Sequence, residues 1–263
     1  MEWIIDPDIV FFIKTMKKKH LSDAVTKGEF CFSCPETFVN DDNGKLNGAQ
    51  KDTWDSSQFY EAKNLYAYPI IKEDKDGIQY GPGIKLADKT TIREMSSSVR
   101  HTPFCCFRKV TKDELECRNK LFVFSLGDTV DRIKNEFGHD SFVLIADPNE
   151  FIHRLYQKEH NCYGRSIFYG ELTSEYMREI EEHTTKGFQQ IKMFQKRDKY
   201  AWQKEYRIIL TPTKETTPRI VHIGSIEDIT IGGDIENLRL GYAFGFSEDF
   251  EKKQMLKIGR NKQ

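Results

Sequence analysis

No stretch of the 263 residues approaches the roughly 20 apolar residues that a helix needs to span a bilayer, so no membrane-spanning segment is expected. No secretory signal is expected either. The first twenty residues, MEWIIDPDIVFFIKTMKKKH, place acidic residues before a short apolar run and lysines after it, the reverse of a signal peptide's charge order. A cytoplasmic location with no membrane partner is the expectation. An excess of charge of either sign is also missing. The 40 Lys and Arg against 41 Asp and Glu leave a net charge of -1, which provides no global field for nucleic acid or an anionic surface. The six cysteines have no secretory context, so they read as reduced thiols rather than a disulfide framework. Cys31 and Cys34 have the gap of a zinc knuckle, but the strand-like residues between them would point the two thiols to opposite faces. Glycine-rich phosphate loops, dinucleotide fingerprints, nucleophile elbows and paired-histidine zinc helices are not present, which removes the common NTPases, kinases, dehydrogenases and serine hydrolases.

What is present is ample core material: 38% hydrophobic residues and 13% aromatic, with 19 Phe and 11 Tyr. That excludes global disorder. The length suits one α+β domain over residues 1–263, with a long loop or irregular insertion at about 40–100 that is rich in Asn, Asp and Gly at its start and reads as hairpin-like or irregular over 65–100. IVFFIKT at 9–15 reads as a strand, residues 17–27 as a helix stopped by Gly28, and GEFCFSCPETF as a second strand ending at Pro35. PFCCFRKV, LFVFSL, SFVLIAD and RSIFYGEL follow as strand candidates. Helices are expected at 127–138, from Pro148 to about 160, and across TSEYMREIEEHTTKGFQQIKMFQKRD. YAWQKEYRIIL and RIVHIGSIEDITIGG read as strands, and DIENLRLGYAFGF as a helix. Hairpin-like and helix-separated strands together imply a mixed, largely antiparallel β core flanked by helices.

The stretch Tyr200–Leu210 carries the most chemical information. If extended, it puts Gln203, Glu205 and Arg207 on one face and Trp202, Lys204, Tyr206 and Ile208 on the other. Three convergent polar side chains on an apolar element form a site candidate. The plainer alternative is a solvated edge face with a surface Glu–Arg pair. Asn40 and Asp41 likewise have a plain reading as turn formers.

Several blocks, Lys14 on its strand, Phe32, Ser33, Pro35, Phe38, Asn40 and Asp41, then Phe194, Lys196, Trp202, Glu205, Tyr206 and Arg207, together resemble a widespread family of bacterial and phage proteins of unassigned activity. The chain departs from that pattern at 42–100 and around 115–140. The early strand–helix–strand and the late Gln-x-Glu also look like the layout of ADP-ribosyltransferases. That resemblance implies NAD as substrate, with Glu205 and Gln203 catalytic and Lys14, Ser33, Arg207, Asn40 and Asp41 at the cofactor. In that scheme Glu205 stabilises the positive charge that develops on the ribose. Gln203 orients the incoming acceptor, and Lys14 or Arg207 holds the pyrophosphate. The acceptor would be a protein or nucleic acid, and the protein a toxin or phage-conflict factor. Two other readings stay open: a non-enzymatic sensor or inhibitor on a similar scaffold, and a metal-dependent nuclease using Asp41, Asp42 and Glu205.

Overall fold

The computed structural model describes residues 5–39, 58–75, 77–94, 97–118, 121–170 and 193–245. In chain order its first elements are β1 (Ile9–Met16), α1 (Leu21–Thr26), β2 (Glu29–Phe32), α2 (Pro35–Val39), β3 (Gln58–Ala67), β4 (Ile70–Asp74), β5 (Gly77–Tyr80) and β6 (Ile84–Glu94). Next come α3 (Ser97–Arg100), β7 (Phe104–Thr111), β8 (Glu116–Arg118), β9 (Leu121–Phe124), α4 (Thr129–Phe137), β10 (Ser141–Ile145), α5 (Pro148–Lys158) and β11 (Tyr163–Ser166). The last are β12 (Phe168–Tyr169), β13 (Gln195–Lys196), β14 (Glu205–Ile209), β15 (Arg219–His222), β16 (Thr230–Asp234), α6 (Glu236–Leu240) and β17 (Tyr242–Phe244). The protein is thus mixed α+β and mostly antiparallel. No helix among the described residues is long and apolar enough to cross a membrane.

Six strands form the main sheet in the order β11-β14-β7-β1-β10-β16, every neighbour antiparallel. Its central strands are apolar on both faces because each face is covered. Along β10, Val143 and Ile145 enter one core while Phe142 and Leu144 enter the other, and all four are fully buried. The first core is closed by Ala24 of α1, Phe30 and Phe32 of β2, Phe151, Ile152 and Leu155 of α5, and Val221 of β15. Val130 and Ile133 of α4, with Phe124 of β9 and Leu238 of α6, close the second. β1 contributes to both, and a bulge between Ile9 and Phe11 puts these two residues in opposite cores although they are two apart.

Local signals explain the flanking helices. Asp147 caps α5 by accepting from the Glu150 N–H at 2.9 Å, and Pro148 supplies the fixed φ of a first turn. α4 ends at Gly138, whose φ of +65° suits its left-handed cap. The segment after α1 closes just as tightly. Gly28 has φ +59°, and a Cβ there would stand 2.2 Å from the Gly224 carbonyl oxygen.

Four expectations are corrected. The stretch expected as a strand through Pro35 is extended to Phe32, bridges Phe104 at Ser33 and then turns into α2, because proline is favoured in a helix's first turn. Residues 198–203 form a 3-10 helix rather than the start of a strand, and Lys204 at φ 44° separates it from β14. The C-terminal DIENLRLGYAFGF is helical only to Leu240, and after Gly241 it becomes β17, paired with β9. The later part of the insertion, read as hairpin-like or irregular, is a long antiparallel ribbon of β3 and β6 with β4 and β5 nested inside. The described end of the helix expected from Thr173 is strand β13, Gln195–Lys196, paired with β12, while the rest of that helix lies outside the described residues, and so do Asn40 and Asp41.

Candidate functional site

β1 and β7 pair only as far as Ile13 and Arg108. Beyond that point β1 continues alongside β10 from Lys14 to Met16, while β7 continues alongside β14 from Phe107 back to Phe104. The two strands therefore part in the middle of the sheet. The opening between them is a cleft of about 520 Å³, within the range of small-molecule sites.

Lys14, Ser33, Gln203 and Glu205 all line this cleft, although they lie far apart in the chain. Each arrives by its own route. Lys14 sits on β1 just past the last β1–β7 pair, and its ammonium donates to the Cys106 carbonyl at 2.8 Å. Ser33 is held at the end of β7 by a reciprocal bridge: its N–H donates to the Phe104 carbonyl at 3.0 Å and its carbonyl accepts from the Phe104 N–H at 2.9 Å. Glu205 is the first residue of β14, opposite Arg108. Gln203 reaches the same place from the end of the 3-10 helix, not by strand alternation.

Lys196, Gln203, Glu205 and Arg207 form one chain of contacts. The buried Lys196 on β13 donates from Nζ to Gln203 Oε1 and to Glu205 Oε2, both at 2.8 Å. Arg207 donates from Nε to the other carboxylate oxygen, Glu205 Oε1, at 2.8 Å and from Nη1 to the Met193 carbonyl at 2.6 Å. Burial alone would raise the Glu205 carboxyl, but Arg207 and then Lys196 outweigh it and hold the group well below the usual carboxylate range. Glu205 is therefore a permanent carboxylate near neutrality, and it is only 4% exposed.

Every residue of β14 is buried, because β14 lies between β11 and β7, so the surface-pair alternative for Glu205 and Arg207 does not hold. Arg207 does not line the cleft. Its guanidinium is 0% exposed and stacks 4.3 Å from the Phe104 ring, so it cannot reach a pyrophosphate there. It acts on Glu205 instead. Trp202 and Lys204 also leave the face assigned to them with Tyr206 and Ile208. Trp202 packs with Phe137 on the second core and under the Arg132 guanidinium, 4.2 Å from its ring, while Lys204 turns outward to Glu114 at 3.1 Å.

Two cleft residues were not given roles from sequence. Lys196 had a faint signal, a cation between the apolar pair Met193–Phe194 and the aromatic Tyr200. His139 had none. It lines the cleft beside Phe137, with Thr15 Oγ1 2.8 Å from its Nδ1. Burial first, and then the charges of Lys14 and Lys17, lower its imidazole to about 4, so it is neutral at pH 7.

Against protein-family models, curated proteins and solved structures, the chain has no match. The functional reading rests on the cleft itself. Among its described lining residues Lys14, Lys17, Lys19, Lys196 and Arg108 are basic and Glu205 is the one carboxylate, a balance that suits an anionic ligand. Among the described residues no group of three His, Cys, Asp or Glu side chains is placed to share a metal ion.

Proposed function

We propose that the cleft binds NAD and that the protein is an ADP-ribosyltransferase-like enzyme that breaks the bond between nicotinamide and ribose and passes ADP-ribose to a protein or nucleic-acid acceptor. The observation that carries this reading is the parting of β1 and β7, which gathers Lys14, Ser33, Gln203 and Glu205 around one basic cleft. Nicotinamide departs with the electron pair of the broken bond, leaving positive charge on the ribose C1′. The acceptor then supplies a new pair to that carbon and loses a proton. Glu205 suits the first step as a fixed negative charge that stabilises the positive charge developing on the ribose. It does not serve as a proton carrier, because Arg207 and Lys196 keep it ionised.

A second reading has its own support. Both oxygens of Glu205 are already bonded at 2.8 Å, which suits the wall of a binding cleft that performs no chemistry. Nicotinamide release from NAD, measured on wild type and Glu205→Gln, decides between them. The enzyme reading expects release in the wild type, reduced on the order of 100-fold or more in a variant whose thermal unfolding shows that it is folded. No release with acceptor-rich lysate added, alongside calorimetric binding of NAD, selects the binding protein.

A further inference from the structure

Three side-chain N–H groups of cleft residues are buried with no hydrogen-bond partner: Gln203 Nε2, Trp202 Nε1 and Arg108 Nε. All three residues line the cleft, and Gln203 is 9% exposed. The orientation of the Gln203 amide is set by its neighbour. A lysine ammonium only donates, so the atom that meets Lys196 Nζ at 2.8 Å must be the carbonyl oxygen, and the NH2 group is what remains. The indole N–H and the guanidinium Nε–H are donors by chemistry. Arg108 has its other nitrogens committed, Nη1 to the Trp202 carbonyl at 2.8 Å and Nη2 to Glu114 at 2.7 Å. The cleft wall thus holds unpartnered donors, and a buried donor left unpaired is unfavourable until an acceptor reaches it.

From this wall we infer a phosphoryl subsite: this wall of the cleft takes a phosphate group of the ligand, bound through the Gln203 amide and the Trp202 indole N–H, with Lys196 as the positioning residue that turns the amide. The inference rests on the reading of the cleft as a ligand site, but not on cleavage of the ligand. Phosphoryl oxygens accept several hydrogen bonds and donate none when ionised, which matches the donors here. The cleft's lysines supply the charge complement.

The test is calorimetric binding of four compounds to the full chain: inorganic pyrophosphate, ADP-ribose, adenosine and nicotinamide riboside. Pyrophosphate and ADP-ribose are expected to bind, with the two phosphate-free compounds at least ten-fold weaker. Trp202→Phe keeps the ring and removes the N–H, and should weaken the phosphate compounds about ten-fold or more while leaving thermal unfolding nearly unchanged. Equal binding of adenosine and ADP-ribose overturns the inference, as does a folded Trp202→Phe that binds pyrophosphate as tightly as the wild type. If that variant does not fold, the four-compound comparison on the wild type still decides. Nicotinamide release with no pyrophosphate binding would sink the subsite and leave the proposed function standing, whereas pyrophosphate binding with no release would do the reverse.

Discussion

Replacing Lys196 by Met should destabilise the protein by about 3 kcal/mol, for a reason that can be followed atom by atom. Glu205 is buried and its carboxylate is neutralised from two sides, by Lys196 at one oxygen and Arg207 at the other. Removing one partner of a buried ion pair leaves charge uncompensated in a medium that solvates it poorly, a loss of roughly 3–5 kcal/mol. The lower end applies because Arg207 remains. For a domain of this size that corresponds to a fall of roughly 6–12 °C in the melting temperature. The pH dependence identifies the cause. In the wild type the folded-state value of Glu205 lies below its unfolded value, so its contribution is present above the ordinary carboxylate range and fades as the pH falls through the folded value. In Lys196→Met burial of the carboxyl is opposed by Arg207 alone, the carboxyl rises, and protonation costs the folded state less. The gap between mutant and wild type should therefore narrow from pH 7 towards pH 4. Urea unfolding at pH 7, 5.5 and 4 on both proteins, with Glu205→Gln and the double variant to close a cycle, measures this. A loss under 1 kcal/mol at pH 7, or strictly additive single and double variants, would refute the reasoning.

Two further outcomes follow from other parts of the structure. His139, lowered to about 4 in the fold against 6.5 free, binds fewer protons folded than unfolded between those values, so stability should fall as the pH drops from 6.5 to 4, by up to about 3 kcal/mol. His139→Gln should flatten that slope in urea titrations, and an unchanged slope would show that the imidazole is not the group responsible. Gly28→Ala should cost at least about 2 kcal/mol, since it combines a left-handed backbone with a Cβ 2.2 Å from the Gly224 oxygen and 2.5 Å from Ile223 Cγ1. A thermal unfolding midpoint within 2 °C of the wild type would contradict it.

Where a segment carries a strong local signature, the amino-acid order was enough to read it. Val143, Leu144 and Ile145 in an unbroken apolar run announce a strand covered on both faces, and Asp147–Pro148 announces the helix that follows. Val130 and Ile133 with Gly138 do the same for α4. Gln203, Glu205 and Arg207 were singled out by their spacing, which is also local. Their arrangement was not. Alternation presumes a strand, but Lys204 adopts a left-handed conformation, and Gln203 reaches Glu205 from a 3-10 turn through a lysine seven residues back. Nothing in the order of residues near Arg207 shows that β7 and β11 flank its strand. That long-range pairing turned a plausible surface cation into a fully buried partner of Glu205. The cleft itself belongs to the tertiary structure alone. It exists because β1 follows β10 and β7 follows β14 after Ile13 and Arg108, and such a parting depends on contacts between strands about a hundred residues apart, which no local periodicity records.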